Sequence, residues 1–383
     1  MAKKIFFGNY KGGVGKTTST FQIAYELYEN HNASVLLLDL DPQSSLSELC
    51  MRSRRMELDA GKAPDGTGKL SYKTLNYVYA LYMQARKMNN IKFTIEYNTI
   101  VQNICTRNKD ASVTSTQSAI NTVSPPSQGQ IRLDFIPNSL FSEYGGLDKI
   151  SMDVGKGDEN LLILRDFIED NKLNIEYDYI FFDCPPSNNI ITQSAFLYCD
   201  YYIIPTIMDK LSVKGVKHYI SVIEGIYNDY CVNHEHSDVL SLLFGSKPQL
   251  IGIFETMRKE TAGTDSDKKD LKQILHEDDI YDSFFEFEIT HLVDIPRSTG
   301  EGQKIDLVGF EELTIEMRDR LNAIEQGEAH KKLINDVKSR WNDLVSRYSK
   351  KNNAFRKNND FQRLINEMRD CLKNDYNKWS IEK

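Results

Sequence analysis

Three glycines and two lysines fall within Lys11-Gly12-Gly13-Val14-Gly15-Lys16-Thr17-Thr18, directly after the apolar run Ile5-Phe6-Phe7 and directly before the helix-like stretch Ser19 to Tyr28. Such a segment between strand and helix is a cradle for an anion. Glycines let the backbone wrap closely around phosphate oxygens, while the loop amides and the helix N-terminus supply positive potential. The spacing assigns Lys16 to the β- and γ-phosphates of a nucleotide and the Thr17 hydroxyl to Mg²⁺. Gly12, Gly13, Val14, Gly15, Lys16, Thr17 and Thr18 are therefore the candidate nucleotide-binding set. The ordinary pattern Gly-x-x-x-x-Gly-Lys-Thr calls for a glycine where this chain has Tyr10, and a second lysine, Lys11, precedes Lys16 by five residues. The loop is a lysine-bearing variant of the common form.

Two acids complete the chemistry. Leu38-Asp39-Leu40-Asp41-Pro42-Gln43 follows the first helix, and the hydrophobic run from Tyr179 ends in Asp183 before Cys184-Pro185-Pro186. In a phosphate-loop fold such strand ends lie beside the γ-phosphate. Asp41 can then orient an attacking water, and Asp183 can hold Mg²⁺ directly or through a water. A lone aspartate at a strand end is commonly a turn or helix cap. Three motifs in this order favour the catalytic reading.

The elements that must position these residues are legible as alternation. Apolar runs at Ile5–Phe7, Val35–Leu38, Leu133–Ile136, Tyr179–Phe182, Tyr202–Ile204 and Leu250–Phe254 are mostly followed by helical patterns. That rhythm predicts an α/β fold with a mainly parallel twisted sheet flanked by helices, and the glycine loop makes the expected form of it a P-loop NTPase. Ser53–Ser71, Arg107–Gln130 and the shorter Thr261–Asp270 read as surface loops. Between the first two, Leu75, Val78, Tyr79, Tyr82 and Met83 recur at helical spacing within Tyr72–Met88, a helix whose expected role is packing. From Glu311 onward the pattern is helical, with apolar stripes over Leu333–Tyr348 and Phe361–Tyr376 that predict a hairpin. The expected organisation is an ATPase domain over residues 1–310, with insertions near 53–71 and 107–130, and a basic helical extension over 311–383.

Charge sets apart the end of that extension. The chain of 383 residues has a net charge of −8, yet residues 330–383 hold 14 Lys and Arg against 7 Asp and Glu, which leaves −15 on residues 1–329. A basic extension of this kind suits either contact with a nucleic-acid backbone or docking of its apolar stripes on the acidic body. The six cysteines form no Cys-x-x-Cys pair, which argues against a disulfide framework, a zinc site or a closely ligated cluster. No apolar run approaches the ~18 residues of a spanning helix. The expected setting is cytoplasmic.

The loop Lys11–Thr18 with Asn9-Tyr10 before it, Leu37 through Gln43, Phe135-Ile136-Pro137-Asn138-Ser139, and Tyr177 through Pro186 resemble the ParA/MinD family of deviant Walker A ATPases, most closely its ParA-type DNA partition proteins. The resemblance runs over roughly residues 3 to 305 and implies hydrolysis of ATP with Mg²⁺, with Lys11, Lys16, Asp41 and Asp183 as the catalytic set. It implies further that Lys11 reaches across a two-fold interface to the phosphates of a second subunit, so that ATP holds a sandwich homodimer together. Thr17, Asp39 and Asp183 would lie at the metal, and Pro205, Thr206 and Asp209 near the adenine. The implied partners are a ParB-like centromere-binding protein and DNA bound without sequence preference, which gives a nucleoid-associated location. One departure bears on DNA: where relatives carry an Ile-Pro-Arg-x-x-Arg segment, this chain has Ile289-Thr290-His291-Leu292-Val293-Asp294, and Arg258, Lys259, Arg297 and the basic extension are the remaining candidates. The competing reading is a MinD-like spatial regulator at a membrane, against which the polar ending Asn377 to Lys383 argues. Iron-protein electron transfer lacks paired cysteines, and a tyrosine-kinase reading lacks a terminal tyrosine cluster.

Overall fold

A computed structural model describes residues 1–57, 73–88, 93–109, 129–155, 158–207, 210–257, 283–285, 289 and 309–327. Its strands are β1 (Lys3–Phe7), β2 (Val35–Asp39), β3 (Gln102–Asn108), β4 (Gln130–Ile136), β5 (Tyr179–Asp183), β6 (Tyr201–Thr206) and β7 (Gln249–Glu255). Its helices include α1 (Lys16–Asn30), α2 (Ser45–Glu57), α3 (Leu75–Lys87), α4 (Tyr97–Ile100), α5 (Leu147–Val154), α6 (Ile163–Asp170), α7 (Leu173–Glu176), α8 (Ile190–Tyr198), α9 (Lys210–Cys231) and α10 (Ser237–Phe244). The strands form one sheet in the order β3-β4-β2-β5-β1-β6-β7. Every neighbouring pair is parallel except β3 with β4, which is antiparallel.

The short apolar runs become strands because they can be covered on both faces. Every residue of β2 and β5 is buried, as central strands of a parallel sheet must be. Phe6, Leu36, Leu38, Ile180, Phe182 and Ile204 enter one core with α3, α5, α6, α8 and α9. The alternate residues Ile5, Phe7, Leu37, Phe181 and Ile203 are equally buried and belong to the opposite face by the two-residue period of a strand, where α1 packs against β2, β4 and β5. Truncating a core ring such as Phe182 to alanine would cost about 3–5 kcal/mol.

All six expected strands are present, and a seventh was not anticipated. Arg107 and Asn108, expected within a loop, end β3. Its sequence, Gln-Asn-Ile-Cys-Thr-Arg-Asn, lacks a continuous apolar run because only an edge strand with one neighbour is being built. Ser53, expected to open a loop, lies inside α2, which continues to Glu57. The helix expected over Tyr72–Met88 is α3, with Leu75, Val78, Tyr79 and Tyr82 buried. The chain divides into two compact units, Met1–Met317 and Arg318–Lys383. Of the second, residues 318–327 are described and helical; the apolar stripes and basic residues beyond them lie outside the described residues, as do Arg258, Lys259, Asp209 and Arg297.

Candidate nucleotide site

The chain leaves β1 in one direction to build β2, with β5 filled in between, and crosses β1 in the other to build β6. The C-terminal end of β1 is thus where strand order reverses, the place at which open α/β sheets leave a crevice. The glycine loop occupies that end. Gly13 has φ 71° and Gly15, at the N-cap of α1, has φ 78° and ψ 19°. These left-handed values are where glycine carries no side-chain penalty. Lys16 is buried, and its Nζ donates to the carbonyls of Asn9 at 3.2 Å and Lys11 at 3.3 Å. Two loop carbonyls therefore hold the amine at the centre of the loop.

Asn9 fastens the entry of the loop to the next strand. Its Nδ2 donates to the Pro205 carbonyl at 2.8 Å, and its Oδ1 accepts from the Lys11 amide at 3.0 Å. The Lys11 Nζ donates to Ser212 Oγ in α9 at 2.7 Å, so the signature lysine lies against its own chain.

The acids follow from strand register. Asp39 and Asp183 are direct neighbours at the ends of β2 and β5, as Phe7 of β1 and Asp183 are. Thr17 Oγ1 donates to Asp183 Oδ2 at 2.7 Å, and Thr20 Oγ1 lies 3.5 Å from Oδ1. Burial pushes the Asp183 carboxyl above its ordinary range, with Asp39 and Asp41 adding to the shift and the Thr17 hydroxyl opposing it. Burial also lowers the Lys16 amine, opposed by Asp183 and Asp41. A cation beside Asp183 would favour its ionised form.

Asp39 and Asp41 divide their work. Asp39 Oδ2 accepts from both the amide and the hydroxyl of Ser47 at 2.7 Å, and Oδ1 accepts from the Asp41 amide at 3.1 Å. Burial pushes the Asp39 carboxyl up to about 7 despite those donors. Its oxygens are engaged in fixing the start of α2 and the turn that carries Asp41. Asn138 braces the same turn: its Oδ1 accepts from Ser44 Oγ at 2.9 Å, its amide donates to Ser47 Oγ at 2.8 Å, and its Nδ2 donates to the Asp41 carbonyl. Asp41, by contrast, is half-exposed and lines the crevice.

The crevice is an open cavity of about 830 Å³ lined by Gly12, Gly13, Gly15, Lys16, Thr17, Thr18 and Asp41, with α2 and Pro185-Pro186 around the rim. Pro205 and Thr206 lie at the end of β6 and do not line it. Their carbonyls are taken by Asn9 and by Thr256, and the Thr206 side chain is buried. Sequence reasoning gave no role to Asn9, Asn138, Ser47, Ser212 or Thr256. For Asn9 and Asn138 a signal existed, since both stand inside motifs singled out by resemblance; Ser212 and Thr256 stand outside those motifs.

A family model described as an AAA domain matches residues 2–236. Curated relatives include a virulence-plasmid ParA family protein of Chlamydia psittaci, 24% identical over 289 residues (75% of this chain, 82% of that protein). A ParA family protein of Chlamydia trachomatis is 26% identical over 231 residues, covering 60% of this chain and 69% of its own. The chain belongs to the AAA domain family, as a ParA-type member. Among solved structures, an AMPPNP-bound putative plasmid partition protein from Borrelia burgdorferi has a TM-score of 0.50 at 20% identity, covering 84% of this chain and 99% of its own. Apo McdA from Cyanothece has a TM-score of 0.51 at 16% identity over 84% of this chain and 100% of its own. Both share the P-loop NTPase fold of this ParA-type chain. Among its described residues no helix is long and apolar enough to cross a membrane.

Proposed function

We propose that the chain binds ATP with Mg²⁺, dimerises on it, and hydrolyses it to drive DNA partition. The observation that carries this reading is the convergence on one cavity of a lysine-bearing glycine loop, Thr17 with Asp183 bonded behind it at 2.7 Å, and a half-exposed Asp41. The AMPPNP-bound putative plasmid partition protein supports the same choice of nucleotide. The oxygen donors suit Mg²⁺, which is held by one or two carboxylates or hydroxyls together with phosphates. Bound there, the ion would neutralise charge on the phosphate oxygens.

The chain's own residues take the other roles. Lys16 and the loop amides bind the phosphates, Thr17 and Asp183 hold the metal, and Asp41 orients the attacking water with its carbonyl fixed by Asn138. Asp39 acts behind them, holding the Asp41 turn and α2. Pro205, Thr206 and Asp209 remain the proposed adenine-side residues. Lys11 leaves Ser212 and reaches the phosphates of a second copy, where a cation offsets the charge that builds in the transition state. The analogous arginine finger is worth ~10³ to 10⁵ in rate.

The ATP-bound dimer then binds DNA non-specifically on the nucleoid, with the basic residues after 330 as contacts, and a ParB-like centromere-binding partner stimulates hydrolysis and release in the cytoplasm. Lys11→Ala tests the core of this reading. Expected are loss of ATPase activity and weakened ATP-dependent dimerisation by light scattering; turnover equal to the parent would sink it. Deleting the residues after Ala329 tests the DNA role. If about five to seven phosphates are neutralised there, log K for DNA falls against log salt with a slope of about −5 to −6 in the full chain only.

A further inference from the structure

The Val14 carbonyl has a partner from outside the loop motif. The Thr256 hydroxyl donates to it at 2.8 Å, across 242 positions of sequence, and lies 3.1 Å from the Thr206 carbonyl, to which the Thr256 amide donates at 2.7 Å. A hydroxyl has one proton to give, and the shorter contact assigns it to Val14. Thr256 is only 3% exposed, and its Cβ and methyl stand 3.6 Å from where a side chain on Gly15 would begin. The first residue after β7 is thus seated directly behind the loop.

A trans peptide points its carbonyl and its N–H in opposite directions. Holding the Val14 oxygen toward Thr256 therefore turns the Gly15 N–H away from Thr256, on the cavity side that Gly15 lines. Gly15 tolerates positive and negative φ alike, so its own conformation does not fix this peptide plane. A flipped plane would remove one donor from the phosphate and aim a carbonyl dipole at it instead. We propose that Thr256 is a positioning residue of the nucleotide site, which holds the Val14–Gly15 peptide so that the Gly15 amide faces the phosphates. The proposal rests on the nucleotide-binding reading given above.

Thr256→Val keeps the shape and removes the hydroxyl; Thr256→Ser keeps the hydroxyl and removes the methyl. Affinity for Mg²⁺ with a fluorescent N-methylanthraniloyl-ADP should fall about tenfold in the valine variant, the size of one lost hydrogen bond to a charged group. The serine variant should stay within about threefold of the parent. In ¹⁵N-labelled protein, the Gly15 amide should shift downfield on nucleotide addition in the parent and in the serine variant, and not in the valine variant. Thermal melts without nucleotide establish that each variant is folded. Equal affinity of valine variant and parent overturns the proposal, as does equal weakening by valine and serine. Should the valine variant fail to fold, a serine variant without the Gly15 shift overturns it as well. A parent that binds no nucleotide sinks the nucleotide reading itself, which separates the two failures.

Discussion

Two clusters of buried polar side chains sit at different places on one sheet. At the β3–β4 edge, Asp134 is fully buried, paired with Arg132 Nε at 3.0 Å and accepting from Asn103 at 2.7 Å, Tyr177 at 2.6 Å and Tyr97 at 3.1 Å. Burial alone would lower the Arg132 guanidinium, but Asp134 beside it raises it instead. At the ends of β1, β2 and β5, by contrast, Lys16 and Asp183 rest on loop carbonyls and a threonine hydroxyl, and Lys16 and Thr17 line an opening of about 830 Å³ with Asp183 buried directly behind Thr17. The first cluster closes on itself and the second opens onto space. Buried charge alone therefore does not mark a site; buried charge aimed at a cavity does.

That contrast can be broken from either side. Arg132→Met leaves Asp134 buried without its counter-charge, and the expected loss is about 3–5 kcal/mol of stability in urea titrations. Nucleotide affinity of the folded fraction should hold, and pairing the change with Asp134→Asn, which removes the charge and keeps an acceptor for Asn103, Tyr97 and Tyr177, should recover part of the loss. Lys16→Ala is expected to reverse the pattern. It removes charge-assisted contacts to phosphate and should weaken ATP binding by on the order of 100-fold in calorimetry, while the urea midpoint stays close to that of the parent. A stability loss as large as that of Arg132→Met would mean the two clusters are alike. Ser47→Ala, behind the site, tests the boundary. Loss of its bond to Asp39 should cost about 1 kcal/mol of stability and change ATP affinity less than about threefold, and a larger affinity effect would move Asp39 from bracing the turn to touching the ligand.

Much of the site was legible because its parts are local. Lys11 to Thr18 is one stretch, and Asp41 and Asp183 each end an apolar run that declares its own strand. The β3 strand was illegible for the opposite reason: Asn103 and Thr106 are polar, Asn103 bonds directly to Asp134, and such pairing leaves no periodic apolar signature. The family resemblance sets Asp39 near the metal. In the folded chain its oxygens also accept from Ser47 and Asp41, contacts that only the placement of α2 could decide.

The chain's order of residues by itself determined a glycine-lysine loop between strand and helix, the acids at two strand ends, and the alternation that makes a parallel sheet, because each is encoded within a few neighbouring positions. Tertiary structure decided which of those groups face the cavity and what holds them there: Pro205 against Asn9, Ser212 against Lys11, Asn138 under Asp41 and Thr256 behind Val14. These contacts join residues tens to hundreds of positions apart. No local pattern carries them, because a hydrogen bond depends on where two atoms meet in space and not on their spacing along the chain.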